Sequence, residues 1–122
     1  MYDPRAYNPK VQGKRTREND DVVKKIIAFF NEIPMAYIEK RHAGPGRKGR
    51  VDLTGSLYGR RVEIEVKAPG KTPTKLQWHW IMHWAKLGCI SGFCTDIKTF
   101  AAIFEKNGYP IIMEAYKKQL KA

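Results

Sequence analysis

Two carboxylates lie on a pair of alternating segments, residues 51–57 and 61–67, that are joined by Tyr58-Gly59. If that dipeptide forms a two-residue turn, the segments pair as a β-hairpin and Asp52 faces Glu65 across it. Directly opposed side chains have Cβ atoms roughly 4.5–5.5 Å apart. Two carboxylates at this distance repel each other, so the pattern predicts that a cation compensates them.

A divalent cation is the economical compensation, because carboxylate oxygens are ligands that Mg²⁺ and Mn²⁺ prefer. Lys67 lies two residues beyond Glu65 on the same side of the strand, where it can orient a water molecule and stabilise negative charge. Together with Asp52, these side chains predict metal-assisted phosphodiester hydrolysis. The competing interpretation is a charged, solvated hairpin face, which the E-x-E-x-K pattern taken alone favours.

The apolar residues of the hairpin support this register. Leu53 then faces Ile64 and Val51 faces Val66, whereas a slip of one residue would mix the apolar and polar faces. Around the hairpin, periodicity and turn signals predict an α/β domain of order α-β-β-β-α-β-α, with a mixed sheet. The expected elements are a helix from Asn19 to Ile33, a strand at 35–41, a helix at 73–87 capped by Thr72, a strand at 89–94, a helix at 96–107 and a final helical segment beyond Pro110.

The charge of the chain points to a polyanionic partner. Its 122 residues include 23 Lys or Arg against 12 Asp or Glu, for a net charge of +11. Such a surplus repels itself in a compact chain unless a polyanion such as nucleic acid neutralises it. No apolar run reaches membrane-spanning length, and no basic start is followed by an apolar stretch, so we expect a soluble, cytoplasmic protein without a membrane partner.

The basic residues fall into three groups. Residues 1–16 are expected to form a flexible arm and residues 114–122 a basic tail, on either side of a domain at 17–113. The third group precedes Asp52, where it is well placed to hold the phosphates of nucleic acid. Its members are Arg41, Arg47, Lys48 and Arg50.

Three motifs in order resemble the VRR-NUC branch of the PD-(D/E)xK nucleases: Gly49-Arg50-Val51-Asp52-Leu53, then Glu65-Val66-Lys67, then Gln77 early in the next helix. The resemblance covers about residues 17–95. It implies a restriction-endonuclease-like αβββαβ core whose mixed central sheet is flanked by helices. It also implies a homodimeric, Mg²⁺- or Mn²⁺-dependent DNA endonuclease of the stand-alone phage and bacterial type, similar to Holliday-junction resolvases. The host compartment would be the cytoplasm of a bacterial or phage-infected cell.

The same resemblance implies the roles of individual residues. Asp52, Glu65 and the backbone carbonyl of Val66 would be metal ligands, Lys67 the catalytic lysine and Gln77 an active-site helix residue. The family also carries an acid in its first helix. The matching residue here is Glu18, with Asp21 as the alternative.

Two other functions remain open at the level of sequence. One is a non-catalytic nucleic-acid-binding protein that retains a nuclease fold, and the other is a small basic RNA-binding protein. The set of Asp52, Glu65 and Lys67 favours an enzyme, because a binding protein has no need of opposed carboxylates that repel its ligand. Branched and linear substrates, and DNA and RNA, stay undistinguished.

Overall fold

The computed structural model describes residues 17–42 and 50–122, with side chains described from residue 20 onward. The arm expected at 1–16 lies outside the described residues. The elements are α1 Arg17–Asn31, β1 Ala36–Lys40, β2 Leu53–Leu57, β3 Arg60–Val66, α2 Lys75–Lys86, β4 Ile90–Cys94, α3 Ile97–Lys106 and α4 Pro110–Lys121. The mixed α/β class and the order of elements agree with the sequence prediction.

The four strands form one mixed sheet in the order β1-β2-β3-β4. The first two pairings are antiparallel, and β3 pairs with β4 in parallel through the crossover helix α2. The predicted hairpin register is confirmed, since Leu53 pairs with Ile64 and Thr54 with Glu63. Tyr58 and Gly59 have φ angles of 52° and 82°, the two positive values of a type I′ turn, whose twist matches that of the flanking strands.

One face of the sheet carries the hydrophobic core beneath α1 and α3. Val62, Ile64 and Val66 point to this side because alternate residues of a strand share a face, and all three are buried. Near the middle, the ring of Phe30 from α1 meets the ring of Phe100 from α3 edge to face, with centroids 5.3 Å apart. This packing leaves the other side of β3 to the polar residues of the hairpin.

Helix α2 covers part of that other side by packing on β3 and β4. It begins after Thr74, whose hydroxyl accepts the N–H of Gln77, while the Gln77 side-chain oxygen accepts the N–H of Thr74. This reciprocal capping box satisfies two backbone donors at the start of the helix. The prediction that Thr72 caps α2 was therefore wrong: T-x-x-Q at 74–77 is the effective start signal.

The C-terminal residues are helical. Helix α4 runs through the position where we expected the domain to give way to a basic tail, and its Ile112 and Met113 are buried in the core. Residues 114–121 are thus a continuation of a docked helix. Within the described residues, no helix is both long enough and apolar enough to cross a membrane.

Candidate active site

Asp52 and Glu65 lie side by side at the open end of the hairpin. Asp52 immediately precedes β2, and its backbone N–H donates to Oε1 of Glu65 at 3.2 Å. In return, Oδ2 of Asp52 accepts the backbone N–H of Val66 at 3.1 Å. Asp52 is half-buried and Glu65 is 2% exposed. The facing carboxylates expected from the hairpin register are therefore brought together.

Two further predicted residues converge on Glu65. The side-chain amide of Gln77 donates to Oε2 of Glu65 at 3.0 Å, and Nζ of Lys67 lies 3.5 Å from the same oxygen. The apolar stripe of α2 predicts that a polar residue such as Gln77 must find a partner, and the hairpin carboxylate is that partner. The oxygen of the same Gln77 amide accepts the Thr74 N–H in the capping box. The start of α2 is therefore tied directly to Glu65.

The surroundings of Glu65 disfavour its charge. Burial is the largest cause that raises the pKa of Glu65, from 4.5 to about 8, and the neighbouring Asp52 charge adds to it. Lys67 acts in the opposite direction and only partly offsets these effects. At neutral pH the pair therefore resists carrying two negative charges, and an added cation would relieve this resistance.

The oxygen donors suit a hard divalent cation. Carboxylates, such as those of Asp52 and Glu65, and backbone carbonyls are the ligand types that Mg²⁺ and Mn²⁺ take, with water and substrate phosphate filling other positions. Within residues 20–42 and 50–122, no cluster of three or more His, Cys, Asp or Glu side chains could hold a metal. Glu18 lies in the first turn of α1, but its side chain is outside what the structure describes.

A third carboxylate, Glu63, was missed as a site residue at the sequence level. It lies two residues before Glu65 on the same face and has no solvent exposure. It is paired with Arg41 and accepts hydrogen bonds from the hydroxyl of Thr54 and from Nε of Arg61, the last at 3.1 Å. The available signal was the hairpin register, which pairs Glu63 with Thr54 on the carboxylate face.

The basic residues predicted to hold phosphates take different positions. The Arg41 side chain is 13% exposed and bridges Glu63 and the Val51 carbonyl, so it braces the segment that leads to Asp52. The Arg50 guanidinium lies 3.4 Å from the centre of the Trp80 ring on α2. Arg47 and Lys48 lie outside the described residues.

Comparisons of the chain with protein-family models, with curated proteins and with solved structures give no match.

Proposed function

We propose that the protein is a divalent-metal-dependent nuclease that hydrolyses phosphodiester bonds of DNA, on the plan of the VRR-NUC branch of the PD-(D/E)xK nucleases. The observation that carries the proposal is the convergence of Asp52, Lys67 and Gln77 on the buried carboxylate of Glu65. The element order and the mixed sheet support it, because both agree with the restriction-endonuclease-like core that the sequence resemblance implies.

Each residue has a role that follows from its position. Asp52, Glu65 and the Val66 carbonyl would hold Mg²⁺ or Mn²⁺, which would polarise the scissile phosphate and lower the pKa of a bound water. Lys67 places its ammonium 3.5 Å from the Glu65 carboxylate, where it can orient the attacking water and balance charge that grows on the phosphate. Gln77 keeps that carboxylate in one orientation.

The partner follows from the charge. A net charge of +11 favours a polyanion, and binding to DNA would release the counterions that its phosphates condense. The family resemblance adds two proposals, a homodimer and a preference for branched DNA. Light scattering of the purified protein would test the first, and a panel of substrates the second.

The decisive experiment is a cleavage assay on a Holliday junction, a flap and a linear duplex with Mg²⁺, Mn²⁺, Ca²⁺ or excess EDTA. We expect cleavage with Mg²⁺ or Mn²⁺, little with Ca²⁺, whose looser coordination positions water poorly, and none with EDTA. Lys67→Met should abolish cleavage while DNA binding persists. Lys71→Met is the matched control, because it removes the same charge from an exposed position four residues further along.

Two results would overturn this proposal. Undiminished cleavage in excess chelator would remove the metal from the mechanism. Tight DNA binding without cleavage of any substrate, under every metal, would instead identify a non-catalytic binding protein.

A further inference from the structure

Arg61 lies on the same face of the sheet as the candidate active site. Alternation along β3 puts Arg61, Glu63, Glu65 and Lys67 on one side, and α2 runs back over this row. Strand residues rise about 3.3 Å each, so the backbone of Arg61 is roughly 13 Å from that of Glu65. In the sequence alone, nothing distinguishes Arg61 from the other basic residues.

The Arg61 side chain is held at two points. Its Nε donates to the buried carboxylate of Glu63 at 3.1 Å. Its guanidinium carbon lies 3.7 Å from the centre of the Trp84 ring on α2, within the range of a cation–π contact. A flexible arginine would lose considerable side-chain entropy when it grips a ligand, and these two contacts have already removed much of that freedom.

The two terminal nitrogens of the Arg61 guanidinium are available to a ligand. Arg61 is 47% exposed, and no acceptor among the described residues bonds either of its terminal nitrogens. A guanidinium held by Nε presents its remaining N–H groups as a planar fork, which matches the oxygens of a phosphate. The Glu63 charge that Arg61 contacts is shared with Arg41, so it does not neutralise Arg61 alone.

A second arginine is stacked in the same way one helical turn closer to the candidate site. Trp80 lies under Arg50 and Trp84 under Arg61, while Gln77, a turn before Trp80, bonds Glu65. Residues three or four apart share a helix face, so one line along α2 leads from the carboxylates past both arginines. No Asp or Glu interrupts α2.

We propose that Arg61 is a backbone-phosphate contact for duplex DNA, fixed in advance by Trp84 and Glu63, and that it holds the strand to be cut on the Arg61 side of the scissile phosphate. This inference rests on the proposed function and deepens it by giving the course of the substrate along α2. Arg50 on Trp80 supplies the contact nearer to the site.

The test measures duplex affinity as a function of salt concentration in an Asp52→Asn background, where DNA is bound without being cut. Removing one phosphate contact makes the negative slope of log affinity against log salt concentration less steep by about 0.9. We expect Arg61→Gln to weaken binding at physiological salt and to reduce the steepness of the slope by this amount. Arg61→Lys should keep the slope while binding more weakly, because it retains the charge and loses the fork and the stack.

Two controls separate contact from general charge and from folding. Lys98→Gln removes the same charge from an exposed position on α3, across the sheet, and should leave the slope unchanged. Trp84→Leu should weaken binding while the slope stays, because Arg61 keeps its charge and loses its anchor. Thermal melts of all variants measure any loss of folded protein.

The outcomes test the Arg61 phosphate contact separately from the proposed nuclease function. An Arg61→Gln protein that melts lower but binds DNA with wild-type affinity and slope would overturn the phosphate contact and leave Arg61 a partner of Glu63 only. If the Asp52→Asn parent protein binds no duplex even at low salt, the phosphate contact of Arg61 is overturned too. Cleavage by the Asp52-containing protein is measured separately, so failure of the nuclease proposal is recognised independently.

Discussion

Asp52 and Glu65 are joined reciprocally across the hairpin: the backbone N–H of Asp52 bonds Glu65 Oε1 at 3.2 Å, and Asp52 Oδ2 accepts the N–H of Val66 at 3.1 Å. Backbone amides thus stabilise both carboxylates in position even though their charges repel. The two side chains are fixed before any cation binds, which reduces the cost of organising a metal site.

Asp52→Asn should abolish cleavage and leave the metal-free fold as stable as the wild type or more so. The amide oxygen of Asn can still accept the Val66 N–H, while the repulsion between Asp52 and Glu65 disappears. Thermal melts in EDTA would measure stability, and single-turnover assays with Mg²⁺ would measure cleavage.

Glu114→Gln is the matched control for this substitution, because it removes one charge from an exposed position on α4 and should change neither property. A structural salt-bridge role for Asp52 gives the opposite forecast. A less stable Asp52→Asn protein whose folded fraction cuts DNA at the wild-type rate would refute the assignment of this hairpin as the active site.

The metal-free protein should lose stability as pH rises from about 4.5 to about 8, the ordinary pKa of the Glu65 carboxyl and its raised value in the folded protein. Between these values the unfolded chain has released a proton that the folded chain still holds, so unfolding becomes more favourable with each increment of pH. Below this window the penalty is absent. Melting temperatures in EDTA across this range would reveal the slope.

Glu65→Gln should flatten that slope, because its amide does not titrate. Mn²⁺ should affect the wild type differently: the cation competes with the proton on Glu65, so metal affinity should increase with pH through the same window. Equal pH slopes for wild type and Glu65→Gln in EDTA would show that the pH dependence comes from other groups.

Glu63 and Glu65 should respond to substitution in opposite ways although they lie two residues apart on one strand. Glu63→Gln removes the charge that compensates the largely buried Arg41, and breaking such a pair costs about 3–5 kcal/mol. Glu65 already holds a proton at neutral pH, so Glu65→Gln changes no charge there and should cost much less stability than Glu63→Gln. We therefore expect a large loss of unfolding free energy for Glu63→Gln and a loss of cleavage for Glu65→Gln.

Urea unfolding in EDTA, followed by cleavage assays normalised to folded protein, would measure both effects. The double variant Arg41→Met with Glu63→Gln is the informative control, because removing both partners leaves no uncompensated buried charge. It should recover part of the stability lost in Glu63→Gln. No recovery would mean that the Arg41–Glu63 pair is not what stabilises this region.

The hairpin could be predicted from sequence because alternation and a two-residue turn are local signals. A two-residue turn at Tyr58-Gly59 determines the register, and this register places Asp52 opposite Glu65. The role of Glu63 could not be read in the same way. Its partner Arg41 is 22 residues away, and only the folded sheet shows that this carboxylate is buried and not solvated.

Contacts between distant elements account for the other omissions. Trp84 and Arg61 come from separate elements, and no local pattern predicts which aromatic ring lies under which guanidinium. The cap of α2 is different, because its signal was present. Thr72 with Pro73 resembled a helix start, yet Thr74 is the threonine with a glutamine three residues later, and the reciprocal bonds decided the boundary.

Gln77→Ala should reduce cleavage by about 10–100-fold, the usual effect of removing a residue that orients a metal ligand. Gln77 performs two tasks, since its oxygen completes the α2 capping box and its amide nitrogen bonds Glu65. Thr74→Ala disrupts the same capping box without removing the Glu65 bond, and the loss of such a cap costs about 1 kcal/mol. The two variants should therefore melt at similar temperatures and differ in activity, with Thr74→Ala close to wild type when cleavage is normalised to folded protein. Equal losses of cleavage in both would show that Gln77 acts through the start of α2, and the direct bond to Glu65 would then have no separate part in catalysis.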